Sequence, residues 1–203
     1  MAALLNTGAD VMGQQSLVYL FKPLATVALV ALVLRSAGRS RYGTWIGAGL
    51  VAALAGDILL MLPQGLFVPG LVAFLVGHLC FIRAFSLDGA GLGAPRLPGV
   101  PVVIAAIAVL VFLWPSLGPM RVPVACYVAT ITTMSWQAIA RWSVRRTPGA
   151  ALAALGSVFF LASDSALAIN RFAAPFAGAT LVVIGTYYVA IWGLALSVRE
   201  PAR

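Results

Sequence analysis

The chain has 203 residues, 62% of them apolar and 9% charged, and its uncharged stretches of about twenty residues exclude an ordinary soluble domain. A formal net charge of +8 raises nucleic acid as a partner, but the thirteen basic residues are scattered through short predicted loops and form no stripe, so no nucleic acid is expected. Cys80 and Cys126 fall in predicted spans without a CxxC pattern, and a single histidine excludes a multi-histidine metal centre.

The opening segment MAALLNTGADVMGQQ has no basic n-region and carries Asp10, so residues 1–16 are expected to form an outer extension and not a cleavable signal peptide. Hydropathy then places spans near 17–34, 44–62, 66–85, 99–114, 120–141, 149–170 and 176–197. The fourth is the shortest, sixteen residues bounded by Pro98, Pro101 and Pro115. With the N-terminus outside, Arg35, Arg39, Arg41, Arg83, Arg96, Arg141, Arg145, Arg146, Arg199 and Arg203 lie inside, leaving only Lys22, Arg121 and Arg171 outside. That bias sets the orientation, because basic residues flanking spans stay on the cytoplasmic side. Dropping the fourth span would move Arg141, Arg145 and Arg146 outside, against the bias, so seven are kept. The predicted fold is all-α: one transmembrane helical bundle over residues 1–203 with its C-terminus inside. The charge bias and the lack of organelle signals fit a bacterial cytoplasmic membrane.

Within these spans two aspartates stand out, Asp57 in AALAGDILLML and Asp164 in GSVFFLASDSALAI. A carboxyl inside a membrane costs several kcal/mol unless its surroundings compensate, and such residues usually carry function. Helices two and six both run outward, and the aspartates lie thirteen and fifteen residues into them, at nearly matching depth in the outer half. Helices one to three repeat the directions of helices five to seven, with helix four as connector, which predicts a 3+1+3 pseudo-symmetric arrangement that brings both aspartates to one central cavity. The third helix of each triplet adds a polar group, His78 in one and Tyr187 in the other. Gly49, Ala53 and Gly56, with Gln64 below, form a small-residue stripe on helix two, and Ser157, Phe160, Asp164 and Arg171 share a face of helix six. For the glycines and alanines, close helix packing is the simpler reading.

The strings KPLAT from 22, AGDILLMLP from 55, LVAFLVGHLCFIRAF from 71, GSVFFLASDSALAINRF from 156 and TYYVA from 186 occur in order along nearly the whole chain. Together they resemble the YhhN-like lysoplasmalogenases. The resemblance implies hydrolysis of the vinyl ether bond of lysoplasmalogens to a fatty aldehyde and a glycerophospho head group. It also implies Asp57 and Asp164 as the catalytic pair. The chain departs from the family pattern in three places: it is expected to lack an additional first span, Phe81 stands where a tyrosine commonly follows the histidine, and Ile191 stands where a glutamine is frequent.

The chemistry suits these residues independently. Hydrolysis of an enol ether begins with proton transfer to the vinyl carbon, and water captures the resulting oxocarbenium ion. That first step needs a carboxylic acid that keeps its proton near neutral pH, which apolar burial and a nearby second carboxylate both favour. The division of labour resembles that of glycosidases. Spacing does not settle which aspartate is the acid; the more apolar FFLAS approach favours Asp164, with Asp57 orienting water. His78 and Tyr187 can orient either carboxyl or complete a proton relay. Lys22, Asn170 and Arg171, near the outer ends of their helices, are candidates for head-group contacts, and Tyr188 for the cavity wall. No metal or organic cofactor is required. The expected partners are a lysophospholipid bearing a vinyl ether and the membrane lipids; oligomeric state is not legible.

Two other classes compete. A proton-coupled transporter would also suit paired intramembrane carboxylates in a symmetric bundle, and would yield no aldehyde. In a purely structural membrane protein the aspartates would be tied to neighbours such as His78, Arg171, Ser163 or Tyr187, and their removal would change stability alone.

Overall fold

A computed structural model describes residues 15–36, 40–62, 64–87 and 97–199, with side chains of the first helix described from Pro23 onward. The predicted outer extension lies outside the described residues, apart from the first residues of the first helix. Among the described residues seven α-helices follow one another: α1 (Gln15–Ser36), α2 (Arg41–Met61), α3 (Phe67–Ser86), α4 (Val100–Leu113), α5 (Arg121–Arg145), α6 (Pro148–Phe172) and α7 (Ala179–Leu196). Each corresponds to one span read from hydropathy.

Five stretches, Arg41–Met61, Phe67–Ser86, Leu97–Ser116, Pro148–Phe172 and Ala179–Arg199, are long and apolar enough to cross a membrane, and the chain is an integral membrane protein. The fourth reaches that length because single 3-10 turns, Leu97–Gly99 and Trp114–Ser116, extend α4 at both ends, so the prolines that shorten the α-helix do not shorten the apolar segment. α5 falls outside the group of five. Thr130, Thr132, Thr133, Ser135 and Gln137 lower its hydropathy. Several of these groups are satisfied locally: Thr130 donates to the Cys126 carbonyl at 2.9 Å and Thr133 to the Ala129 carbonyl at 2.7 Å.

The helix that carries each aspartate starts on a hydroxyl cap. Ser40 Oγ accepts from the Gly43 N–H at 3.1 Å ahead of α2, and Thr147 Oγ1 accepts from the Ala150 N–H at 3.3 Å ahead of α6, where Pro148 supplies the first helical residue. The turns that leave these two helices also match. Gly65 at φ 69° leads into α3 and Gly178 at φ 79° leads into α7, a left-handed conformation that glycine adopts without a Cβ penalty.

The closest helix pairs are α2 with α3 and α6 with α7. A Cβ on Gly77 would come within 3.0 Å of the Gly49 carbonyl, and one on Gly156 within 2.8 Å of the Ala190 carbonyl, so glycine is what allows the two backbones of each pair to touch. α1 packs on α2 and α7, and α5 packs between α3 and α6, which closes a ring of six helices. α4 lies outside that ring against α5 and α6; Gly99, just before it, sits on the Trp136 indole, where a Cβ would fall 2.0 Å from Cδ1. The ring is filled by a buried apolar core that includes Leu50, Phe74, Phe81, Phe160, Ile191 and Leu194. At one end of the bundle the Tyr42 and Ser197 hydroxyls hydrogen-bond at 2.8 Å, with the buried Arg141 guanidinium 4.6 Å above the Tyr42 ring.

Candidate active site

Helical spacing turns Gly49, Ala53, Gly56 and Asp57 of α2 into the bundle, where all four are buried. A Cβ on Gly56 would lie 2.6 Å from the Phe74 ring, so α3 is drawn tightly over the position next to Asp57. Asp57 is fully enclosed. The Tyr187 hydroxyl on α7 donates to its Oδ2 at 2.5 Å, and Thr26 on α1 hydrogen-bonds the same phenol. A carboxyl far from water is thereby held by a phenol that is itself held.

Asp164 has a corresponding partner. The Tyr127 hydroxyl on α5 donates to its Oδ2. Each aspartate is thus bonded by a tyrosine from another helix, and Tyr127 and Tyr187 each lie within electrostatic reach of both carboxyls. Ser163, beside Asp164, spends its hydroxyl on the Val183 carbonyl at 2.9 Å, and Ser135 bonds the Ser157 carbonyl at 3.0 Å; these bonds fix α6 to α7 and to α5.

A series of aromatic ring contacts runs from Tyr187 through Phe160 and His78 to Tyr127. The Phe160 ring is 6.0 Å from Phe74, 4.8 Å from His78 and 5.5 Å from Tyr187, each edge to face. His78 is fully buried, 5.2 Å from the Tyr127 ring, and neither of its ring nitrogens has a hydrogen-bond partner among the described residues.

The two carboxyls differ in access. A cleft with about 630 Å³ of empty space, open mouth included, runs between α2 and α3 on one side and α4, α5 and α6 on the other. Its wall is apolar, including Leu71, Val109, Leu113, Val124 and Phe172, and its polar residues are Tyr127, Asp164 and Ser165. Asp164 lines it; Asp57 does not. Of the two aspartates expected to share one central cavity, Asp164 alone lines this cleft, and Phe74 and Phe160 pack edge to face, 6.0 Å apart, in the core. The cleft shares Leu60, Phe67 and Leu167 with a smaller hollow of about 430 Å³ that contains Arg171, whose guanidinium stacks 4.0 Å above the Phe67 ring. Asp164 and Arg171 are seven residues apart on α6, about 10 Å along the axis. The arrangement offers an apolar slot for a chain, a carboxyl beside it and a cation at its mouth.

The other sequence candidates sort themselves around this geometry. Tyr187 of α7 joins Asp57 of α2, and His78 of α3 lies beside Tyr127 of α5. Tyr188 is half-buried with its ring 6.1 Å from that of Tyr187. Asn170 accepts from the Phe176 N–H at 3.3 Å, which occupies its carboxamide oxygen in the turn after α6. Lys22 belongs to α1, and its side chain lies outside the described residues. Among the described residues no cluster of three or more His, Cys, Asp or Glu side chains is present to hold a metal ion. Sequence reasoning missed Tyr127 and Thr26. A signal for Tyr127 existed: it lies six residues after the start of α5 and Asp164 eight before the end of α6, matching depths on antiparallel neighbours.

Comparison with known proteins gives a concordant result. A lysoplasmalogenase of Mycobacterium bovis is 36% identical over 177 residues, covering 83% of this chain and 65% of the relative. The human lysoplasmalogenase TMEM86A is 34% identical, covering 79% of this chain and 68% of the relative, and human lysoplasmalogenase TMEM86B is 31% identical, covering 90% and 76%. The chain thus spans about two thirds of the length of the first of these relatives. No solved structure matches it. The YhhN family model matches residues 17–198, so the aspartates, their tyrosines and the cleft all fall inside the matched region, and the chain belongs to the YhhN family.

Proposed function

We propose that this protein hydrolyses the vinyl ether bond of a lysoplasmalogen within the membrane, releasing a fatty aldehyde and a glycerophospho head group. The observation that carries this reading is Asp164, a carboxyl on the wall of an apolar cleft whose mouth holds Arg171, in a chain similar to relatives named lysoplasmalogenase. All seven helices cross the bilayer as two triplets joined by α4, with the N-terminus outside and the C-terminus inside. The matching hydroxyl caps, glycine turns and close helix pairs support the triplets. The bias of basic residues supports the orientation and a bacterial cytoplasmic membrane.

In this reading the alkenyl chain enters the cleft from the lipid, and the phosphate stays at the mouth against Arg171. Asp164 gives its proton to the vinyl carbon that does not bear oxygen, leaving a positive charge shared between the adjacent carbon and the ether oxygen. Water adds to that carbon and returns a proton to Asp164. The hemiacetal collapses to an aldehyde as the glycerol oxygen leaves with a proton. Asp57, held by Tyr187, stabilises the cationic intermediate through its charge, and His78 and Tyr188 shape the surrounding wall. Apolar surroundings with few competing dipoles make such a field effective.

The test is aldehyde release from lysoplasmenyl-ethanolamine and lysoplasmenyl-choline by detergent-purified protein, alongside Asp57→Asn and Asp164→Asn. Release by the wild type with loss in Asp164→Asn supports the reading. A folded wild-type protein that releases no aldehyde from either head group, or an equally active Asp164→Asn, overturns it; a proton flux with substrate uptake in liposomes would then favour transport.

A further inference from the structure

Tyr127 has no part in the reaction as written above, yet it lines the same cleft as Asp164 and donates its hydroxyl proton to Asp164 Oδ2. We propose that Tyr127 is the positioning residue of the acid: it holds Asp164 Oδ2 as the acceptor oxygen, at the wall of the cleft, and so places the transferable proton on Oδ1. This inference rests on the hydrolase reading of Asp164.

A protonated carboxyl has one hydroxyl and one carbonyl oxygen, and in an unstructured site the two exchange roles by rotation or by loss and return of the proton. A phenol has a single hydrogen. Once Tyr127 has committed it to Oδ2, that oxygen is the acceptor and the acid's own proton resides on Oδ1. Tyr127 is in turn fixed: it is buried, it belongs to α5, which is wedged between α3 and α6, and the His78 ring meets its edge at 5.2 Å. The donor therefore arrives from a rigid wall and not from a loop.

The same bond changes strength during the reaction. Before proton transfer it runs from a phenol to a neutral carbonyl oxygen. As Oδ1 gives its proton to carbon and the new C–H bond forms from the π electrons, the carboxyl becomes an anion and the bond to Tyr127 becomes charge-assisted, roughly twice as strong. An interaction stronger in the transition state than in the bound substrate raises kcat with little effect on binding. The enclosed Tyr187–Asp57 pair has the same donor and acceptor but does not line this cleft, which is why the assignment falls on Tyr127 and not on both tyrosines.

The experiment is Tyr127→Phe in detergent-purified full-length protein. It is assayed for aldehyde release across pH and for binding of a non-cleavable alkyl ether lysophospholipid. The expected result is a kcat about a hundredfold lower, KM within about twofold of wild type, a displaced pH profile and unchanged analogue binding. Unchanged kcat and pH profile in an active wild-type background overturn the positioning role alone. A wild-type protein without aldehyde release overturns both this inference and the hydrolase reading. If Tyr127→Phe fails to bind the analogue, Tyr127→3-fluorotyrosine decides, since it keeps the shape and alters the donor. A changed kcat then supports the role, and an unchanged one overturns it.

Discussion

The two aspartate–tyrosine pairs are alike in chemistry and unlike in surroundings. Asp57 with Tyr187 and Asp164 with Tyr127 each join two helices by a phenol donating to a carboxyl oxygen. The first pair is sealed, with Asp57 fully buried under α3; the second borders a cleft that opens toward Arg171. Two copies of one polar device inside one bundle thus differ in access. In the proposed reaction it is access, and not residue type, that separates the roles given to the two carboxyls.

The largest expected effect tests that division directly. Asp164→Asn keeps an acceptor for Tyr127 but has no acidic proton, so aldehyde release should fall about a thousandfold while the midpoint of SDS unfolding in mixed micelles stays near wild type. Asp57→Asn should reduce release only about tenfold, because a field is lost and not the proton donor. Equal losses in both variants would break the comparison and return the two carboxyls to equal partnership.

Stability should follow the opposite order. Tyr187→Phe removes the donor from a fully enclosed carboxyl, at a cost of about 2 kcal/mol by SDS titration. In Tyr127→Phe, Asp164 can turn toward its cleft, and the cost should be smaller. A Tyr127→Phe variant that is less stable than Tyr187→Phe would contradict the difference in access.

Much of the fold was legible in the sequence because the bilayer permits few solutions. A helix must satisfy its own backbone, so seven apolar stretches became seven helices in order, within a few residues at each end. The single carboxyl inside each of two spans was legible for the same reason: burial of charge is costly enough to stand out in composition. What was not legible is side-chain direction across the ring. By sequence Tyr187 can orient either carboxyl, and it is Asp57 that it meets, because α7 closes the ring against α1 and α2. Tyr127 carries no clear signal by itself because a tyrosine near the end of a span is also a common interface residue, and only the packing of α5 on α6 gives it a partner. The aromatic contacts were hidden too, since phenylalanines in apolar runs carry no positional signal.

Backbone packing gives a weaker test of how α6 is aimed. Gly156→Ala would push a methyl to 2.8 Å from the Ala190 carbonyl, which cannot move without shifting α7, so about 1–2 kcal/mol of stability should be lost. Aldehyde release should fall with it, since the same displacement moves Asp164 relative to Tyr127. Gly185→Ala is the control: a Cβ there meets nothing within 4 Å, and the variant should equal wild type or gain slightly from better helix propensity. If Gly156→Ala weakened the fold and left release untouched, the position of Asp164 would be set by its bond to Tyr127 and not by the helix pair.

The smallest effect concerns the mouth of the cleft, the feature that the sealed pair lacks. Arg171 is exposed and its guanidinium is already stacked on Phe67, so its charge is screened and its geometry partly pre-set. Arg171→Ala should raise KM for a lysoplasmenyl phospholipid about fivefold with kcat nearly unchanged, as expected for a contact equally present in bound substrate and transition state. Arg171→Lys should recover part of the loss, retaining the charge without the planar fork or the stacking. Arg121 provides the comparison, since it bonds the Trp114 carbonyl at 3.1 Å, stacks on the Trp114 ring and lines neither the cleft nor the hollow of Arg171. Arg121→Ala should leave KM where it was. If the two alanine variants raised KM alike, the surface would attract anionic lipid through general charge, and the opening beside Asp164 would confer no selectivity for the head group.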